Sequence, residues 1–177
     1  MNSRPKIIKK DVPYCERRLQ KEGKLSFELI TSSPELNHYI DLYYHVYSKS
    51  WQETEDIGPT FHRDLMKLAS EKGTLRLGFL FLDNIPISAQ LFIVDNETAY
   101  ILKTVYDQRY RKYSPGKVLT YYMIRHVIDA DKVYQIDYLH GDDPYKKNWL
   151  PSRRERSGIY VFNKTFRGFL LGLSILR

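Results

Sequence analysis

The sequence is short of cysteine and of long apolar stretches. Cys15 is the only cysteine among 177 residues, which excludes an intrachain disulfide framework and a zinc site built on several cysteines. Its neighbours are basic, so we expect the thiol to be exposed, and no surrounding pattern marks it as a nucleophile. No stretch reaches the roughly 18 uncharged apolar residues that a membrane helix needs. We therefore expect no membrane span and take the cytoplasm as the default location.

Sequence signatures of nucleotide and metal sites are missing too. The chain has neither G-x-x-x-x-G-K-[ST] nor G-x-G-x-x-G, and no serine lies in a G-x-S-x-G elbow. The five histidines show no ligand spacing, which argues against a metal centre. Positive charge is plentiful: the formal net charge is +7, which nucleic acid, an anionic membrane surface or a phosphorylated cofactor could each use.

The apolar periodicity predicts an α/β (α+β) protein. A basic arm with a short helix, residues 1–23, should precede one domain over 24–177. The predicted elements are strand 25–31, helices from Ser33 and Thr60, a three-stranded antiparallel meander within 74–106, helix 117–129, strand 133–139, a short helix after Asp143 and strand 158–164. A helix that joins strands 98–106 and 133–139 makes a parallel crossover, so we expect a mixed, helix-covered sheet.

The stretch "YDQRYRKYSPGKVL", residues 106–119, lies between a predicted strand and the crossover helix. A helix start presents unpaired backbone N–H groups and the positive end of the helix dipole, and the basic residues nearby add charge. A pyrophosphate would suit such a place, with Gly116 allowing close approach. Ser-Pro-Gly is also an ordinary turn and cap, so both interpretations stay open on composition alone.

Two further segments carry unusual polar residues. Lys103 interrupts an apolar strand and must reach water, a partner or a ligand. Asp137 poses the same question and can be structural or part of a site. In "LHGDDPYKKNWL", Asp143 is explained as a helix cap, whereas Asp142 has no such role and is a candidate general base. His140 can be a base or a hydrogen-bonded structural residue.

Taken together, these motifs resemble the acetyltransferase domain of the GNAT superfamily, of the type found in CelD-type and BioF2-like proteins and related to the FemAB peptidyltransferases. The resemblance covers roughly residues 25–165 and rests on "GTLRLGFLFLDNIPISAQLFIV", "LKTVYDQRYRKYSPGKVLTYYMI" and "QIDYLHGDDPYKKNW". It implies a GNAT-like mixed, mostly antiparallel twisted sheet flanked by helices. It also implies acetyl-CoA or another acyl-CoA as co-substrate, without a metal. Where the family's phosphate signature has two glycines, this chain offers Gly116 alone.

The resemblance implies a role for each candidate residue. The cofactor residues are Tyr106, Arg109, Arg111, Ser114, Pro115, Gly116, Lys117 and Val118. The catalytic residues are Asp142, Asp137 and Tyr145, with Asp142, or Asp137 through water, accepting the proton of the amine. The substrate-binding residues are Lys103, His140, Lys146 and Trp149.

The function that this resemblance implies is transfer of an acetyl or acyl group to an amine of a small-molecule or sugar acceptor, directly within a ternary complex. The family suggests polysaccharide or cell-envelope biosynthesis as the setting. A homodimer or a second GNAT-like half is the implied partner. Two alternatives stay open: a non-catalytic GNAT-like assembly domain, and a nucleic-acid (tRNA)-binding FemAB-like module. Nucleic acid is the less favoured partner, because the meander residues are aliphatic and phenylalanine rather than exposed tyrosine.

Overall fold

The computed structural model describes residues 7–50, 60–141, 143–150, 152–155 and 157–167. Its helices are α1 Val12–Gln20, α2 Leu36–Ser48, α3 Phe61–Glu71 and α4 Pro115–Asp129. Its strands are β1 Leu25–Ile30, β2 Leu75–Leu82, β3 Ile85–Asp95, β4 Thr98–Tyr106 and β5 Gln135–Asp137. A π-helical turn, Ile7–Asp11, precedes α1, and two 3-10 segments occupy Gln108–Tyr113 and Lys146–Asn148.

The five strands form one sheet in the order of the sequence. β1 to β4 pair antiparallel, and β5 adds to β4 in parallel. The turns Asp83-Asn84 and Asp95–Thr98 close the meander, and Asp83, Asn84, Asn96 and Glu97 all take positive φ values. Two successive residues with positive φ are the requirement of a type I′ hairpin turn, which matches the twist of antiparallel strands. The prediction of a mixed, mostly antiparallel sheet covered by helices is confirmed.

Helices cover both faces of the sheet. On one face, α1 and α4 pack through Val12, Leu19, Leu119 and Met123 against alternate residues of the meander. On the other face, α2 and α3 pack through residues such as Ile40 and Met66. Because successive side chains of a strand point to opposite faces, a strand buried on both sides reads as a continuous apolar run. This explains the nearly unbroken apolarity of the meander.

Three expectations from the sequence differ from the structure. Cys15 is buried, only 6% exposed, because it lies with Val12 and Leu19 on the apolar face of α1. The expected strand 133–139 is reduced to three residues. The strand expected over 158–164 is wrong: this segment has no strand pairing, and Ile159 and Val161 are 88% and 89% exposed.

Within the described ranges, none of the helices combines the length and the apolarity that crossing a bilayer requires.

Candidate functional site

The parallel pair β4–β5 opens after three residues. The pairs are Thr98–Gln135, Ala99–Ile136 and Tyr100–Asp137. β5 ends there, whereas β4 continues to Tyr106 with β3 still paired along its other side. In the described part of the chain, the stretch Ile101–Tyr106 therefore has one edge without a neighbouring strand. Such an edge presents backbone N–H and C=O groups to a ligand that enters the gap.

β4 carries one extra residue at this edge. In the β3–β4 register Leu91 faces Lys103 and Phe92 faces Ile101, so Leu102 has no partner. A bulge of this kind bends the strand, locally disrupts the ladder and often lies beside a functional site. The sequence pattern did not reveal it, because an extra apolar residue inside an apolar run leaves the run unbroken.

A buried aspartate fastens the start of the loop that leaves β4; we call residues 107–118 the basic loop. Asp107 is 1% exposed. Its carboxylate accepts hydrogen bonds from the backbone N–H and the guanidinium of Arg109, with 2.6 Å between Arg109 Nη2 and Asp107 Oδ2. Burial by itself raises the pKa of Asp107, but the hydrogen bonds and charge of Arg109 outweigh burial and hold that pKa below its ordinary value.

Two backbone hydrogen bonds add to this anchor. The Asp107 N–H donates to the Ile87 carbonyl of β3, and the Gln108 N–H donates to the Lys49 carbonyl just after α2. Arg109, which we predicted as a cofactor residue, is thus committed to a carboxylate of the protein itself. Asp-x-Arg spacing at a strand exit was the signal for this pair in the sequence.

The other basic side chains of the basic loop differ in their contacts. The Lys112 ammonium lies 4.7 Å from the centroid of the Tyr113 ring. Arg111 is exposed and Lys117 is half-buried. Neither has an ion-pair or ring partner among the described residues. Arg111 and Lys117 are therefore the cations of this loop that remain able to meet an anion.

Ser114 joins the 3-10 segment to α4 by a left-handed residue. Its φ of 55° and ψ of 53° make it both the end of the first helix and the cap of the second. The Ser114 N–H donates to the Arg111 carbonyl, and the Lys117 and Val118 N–H groups donate to the Ser114 carbonyl. The Gly116 N–H is not among these donors, and Pro115, the first residue of α4, has none. The positive end of the α4 dipole and the Gly116 amide are thus what this helix start offers an anion.

The side of Gly116 that lacks a Cβ faces the sheet. A Cβ placed there would lie 3.4 Å from Thr104 Cγ2 and 3.5 Å from Tyr106 Cδ1, which is ordinary contact. An alanine would therefore fit against β4, so packing alone does not require a glycine here. That Gly116 allows a ligand to approach closely stays a prediction. Pro115, Gly116 and Val118 are buried, and Tyr106 is half-buried beside them.

A row of buried polar groups crosses beneath the start of α4. The Gln90 amide Nε2 donates to Thr104 Oγ1 at 2.8 Å and to Thr120 Oγ1 at 2.5 Å. Thr120 in turn donates to the Gly116 carbonyl at 2.7 Å. Gln90 Oε1 and the Tyr138 hydroxyl are both buried without a hydrogen bond of good geometry. Burial, opposed only in part by Thr120, raises the pKa of Tyr138 far above its ordinary value.

Lys103 lies on the opposite face of β4 from Thr104. Its ammonium is 5.5 Å from the centroid of the Tyr47 ring on α2, whereas Thr104 contacts α4 at Gly116. A lysine ammonium at this distance from an aromatic ring is attracted to the face of the ring. The structure thus places Tyr106, the predicted cofactor residue on β4, on the α4 side of the strand and Lys103 on the α2 side.

Past β5, the structure places most of the remaining predicted residues in one turn; Asp142 lies outside the described residues. Asp137 Oδ1 accepts from the Leu139 N–H at 2.7 Å, so this carboxylate also stabilises the turn. Lys146 Nζ donates to the His140 carbonyl and lies 3.1 Å from Asp143 Oδ2. The ammonium of Lys146 is thus paired with groups of its own turn.

Two aromatic residues of the same turn have different surroundings. Tyr145 is 52% exposed, and burial followed by the charge of Asp143 raises its pKa. Trp149 is 8% exposed and belongs to the core cluster beneath α4. Tyr145 therefore faces the solvent side of the turn as a protonated phenol, and Trp149 holds the turn on the core.

A family model described as an acetyltransferase (GNAT) domain matches residues 8–147. No curated protein matches the sequence. Three solved structures resemble the fold: AAC(6′)-Iy with the bisubstrate analogue CoA-S-monomethyl-acetylneamine, a GNAT family acetyltransferase from Staphylococcus aureus and a GCN5-related N-acetyltransferase from Ralstonia eutropha.

These structures match most of each chain at low sequence identity. The TM-scores are 0.56, 0.54 and 0.53, and the identities are 10%, 15% and 11%. The matches cover 80%, 77% and 77% of this chain and 99%, 98% and 99% of the other chains, in the same order. At such identities the likeness is one of fold.

Proposed function

Because the chain belongs to the GNAT family of acetyltransferases, we propose that it transfers an acetyl or acyl group from acyl-CoA to the amine of a small-molecule or sugar acceptor. The observation that carries this proposal is the opening between β4 and β5, which leads along a free strand edge into the start of α4. Within the family, the quoted motifs support the CelD- and BioF2-like type, a role in polysaccharide or envelope biosynthesis, and a cytoplasmic enzyme.

The described residues fit an acyl-CoA donor at two places. A pyrophosphate suits the start of α4, where the helix dipole and the Gly116 amide lie beside Arg111 and Lys117. A pantetheine arm carries amides, which suit the unpaired edge of Ile101–Tyr106 in the way that an added strand would. The single glycine is compatible with this arrangement, because the helix dipole and the Gly116 amide do not depend on a second glycine. When bound, acyl-CoA supplies the activated acyl group.

Acyl transfer to an amine needs alignment above all. Holding two reactants in place can contribute roughly 7–11 kcal/mol to lowering the barrier. Backbone N–H groups beside a developing oxyanion contribute about 3–4 kcal/mol, and the open edge of Ile101–Tyr106 is suited to supply such groups. A positioned base contributes about 10²- to 10⁴-fold.

Proton transfer falls to the turn after β5. We propose Asp142, or Asp137 through water, as the acceptor of the proton from the amine. Tyr145 suits the opposite task, because its raised pKa keeps the phenol protonated and able to donate a proton to a leaving thiolate. We retain Lys103, His140 and Lys146 as residues of the acceptor cleft, where Lys103 suits an anionic acceptor.

The binding-module alternative has less support. Base stacking needs aromatic side chains exposed on a sheet face. β2 and β3 instead bury most of their side chains beneath helices on both faces, including Phe79 and Phe92 at 0% exposure.

Calorimetry with acetyl-CoA and longer acyl-CoAs tests the donor. We expect stoichiometric binding for at least one of them and acyl transfer to a panel of amines in its presence. The proposal fails if none of these donors binds saturably at about millimolar concentration, which corresponds to a binding free energy of only about −4 kcal/mol.

A further inference from the structure

We propose that α1 braces the basic loop and that Arg18 is the positioning residue through which it does so. This inference deepens the proposed function, because the braced loop is the one assigned to the pyrophosphate. The short basic segment at the start of the chain would then serve donor binding without touching the donor.

Arg18 contacts the basic loop next to the point where α4 begins. Its Nη1 donates to the Lys112 carbonyl at 2.8 Å. The same guanidinium lies 5.0 Å from the ring centroid of Tyr113 and 5.5 Å from that of Tyr14. A planar guanidinium that contacts two rings and also donates to a carbonyl is restricted in its orientation, and the compact ammonium of lysine could not reproduce this set of contacts. Arg18 therefore fixes the two residues that immediately precede Ser114.

α1 is itself firmly attached to α4. Val12, Cys15 and Leu19 are 1%, 6% and 0% exposed and lie in the same core cluster as Leu119 and Met123. The Tyr122 hydroxyl of α4 donates to Glu16 Oε1. Arg18 therefore extends to the basic loop from a helix that is itself packed against α4. The start of α4 is the part of the site that the loop positions.

The basic loop is consequently fastened at two points. Asp107 holds its first end to Arg109, β3 and the residue after α2, and Arg18 holds its middle, at Lys112 and Tyr113, to α1. A loop that is ordered before binding loses less conformational entropy when an anion arrives. Releasing one of these points should therefore weaken anion binding while the rest of the fold persists.

The comparison of Arg18→Gln with Arg17→Gln isolates the contact from the charge. Arg17 lies next to Arg18 on α1, is exposed and has no partner of this kind among the described residues. Hydrogen exchange in the ligand-free protein tests the brace directly at the Ser114 and Lys117 amides, which donate to the Arg111 and Ser114 carbonyls. We expect exchange to rise roughly two- to tenfold in Arg18→Gln and to stay unchanged in Arg17→Gln.

Two acyl donors test the consequence for binding. Acetyl-CoA carries the pyrophosphate and acetyl-pantetheine lacks it. For Arg18→Gln we expect KM for acetyl-CoA to rise by about two- to tenfold with kcat preserved, and KM for acetyl-pantetheine to stay at the native value. Equal losses for both donors, or equal effects of the two arginine variants, would overturn the brace.

The two arms also separate this inference from the proposed function. If the native protein binds no acyl-CoA, the proposed function fails, and the exchange arm alone decides whether Arg18 braces the loop. Unchanged exchange at Ser114 and Lys117 in Arg18→Gln overturns the inference whatever the donors show.

Discussion

The Asp107 carboxylate and the Arg109 guanidinium form a two-pronged ion pair at the point where β4 becomes the basic loop. Arg109 Nε lies 3.1 and 3.0 Å from the two carboxylate oxygens, and Nη2 lies 2.6 Å from Oδ2. One partner is buried and the other exposed, with side-chain exposures of 2% and 66%. The buried Asp107 therefore anchors the start of the basic loop through this pair.

We expect Asp107→Asn to loosen the loop and lower the free energy of unfolding by about 1–3 kcal/mol, because a buried charge-assisted network is lost. Urea denaturation measures this change. Asp129→Asn is the matched control, since Asp129 pairs with Arg125 on the exposed surface of α4, where both side chains are more than 60% exposed. A loss in the control as large as in Asp107→Asn would contradict the special role of the buried pair.

The same carboxylate predicts a pH dependence of stability. The pKa of Asp107 is lower in the folded protein than in the unfolded chain, so its contribution is fully present above the unfolded value, about pH 4. That contribution is lost as the pH falls through the lowered folded pKa. Native protein should therefore lose more unfolding free energy on acidification below about pH 4 than Asp107→Asn does. Parallel stability curves for the two proteins would contradict this assignment.

Arg111 and Lys117 should carry the electrostatic part of donor binding. Replacing either by alanine should raise Kd for acyl-CoA by about tenfold and reduce the salt dependence of binding, because a charge near the pyrophosphate is removed. Calorimetry at two salt concentrations measures both effects. Arg125→Ala serves as the control, because it removes the same charge from the far end of α4. If Arg125→Ala weakens donor binding as much, the effect comes from the net charge of the protein and not from a charge near the pyrophosphate.

Gly116→Ala should be tolerated. Its new methyl group would meet Thr104 and Tyr106 at 3.4 and 3.5 Å, and alanine favours a helix over glycine by up to about 1 kcal/mol. We expect unchanged or slightly higher stability and unchanged Kd for acyl-CoA. Gly78→Ala gives the contrast, because its methyl group would lie 2.2 Å from Met123 Sδ in the buried core. A selective loss of donor binding in Gly116→Ala would instead show that the ligand approaches the glycine itself.

Tyr138→Phe should keep or raise the stability of the protein. The buried hydroxyl makes no hydrogen bond of good geometry, so no such bond offsets the cost of removing it from water. Deleting the hydroxyl removes this cost, which is about 1–3 kcal/mol. Thermal and urea denaturation measure the change. Thr120→Val is the comparison, because it removes a hydroxyl that bonds both Gln90 and the Gly116 carbonyl and should destabilise the protein. A destabilised Tyr138→Phe would mean that an ordered water satisfies the hydroxyl.

The sequence predicted the meander and α4 well because their signals are local. Alternation and turn residues specify β2, β3 and β4, and apolar spacing specifies the helix. The segment 158–164 misled for the same reason: Ile159 and Val161 favour a strand, but propensity does not supply a neighbouring strand to pair with. Cys15 was misjudged because its basic neighbours outweighed the stripe of Val12, Cys15 and Leu19, which predicts a buried helix face.

The candidate site depended more on contacts that no local pattern contains. From the sequence, Arg109 and Arg111 were both predicted to bind the cofactor. In the structure Arg109 is paired with Asp107, whereas Arg111 is exposed and able to bind an anion. The brace from Arg18 joins residues 94 positions apart in the chain. Such long-range pairs require the fold before they can be recognised.

The extra residue at Leu102 reverses the odd–even alternation of β4. Before it, odd-numbered Ala99 and Ile101 face α1 and α4. After it, even-numbered Thr104 and Tyr106 face α4, while odd-numbered Lys103 faces Tyr47. With strict alternation the lysine would point into the α4 core and the threonine toward α2. One additional residue thus reverses the facing of the second half of the strand, so that the lysine lies beside Tyr47 of α2 and a small polar side chain lies beside the start of α4.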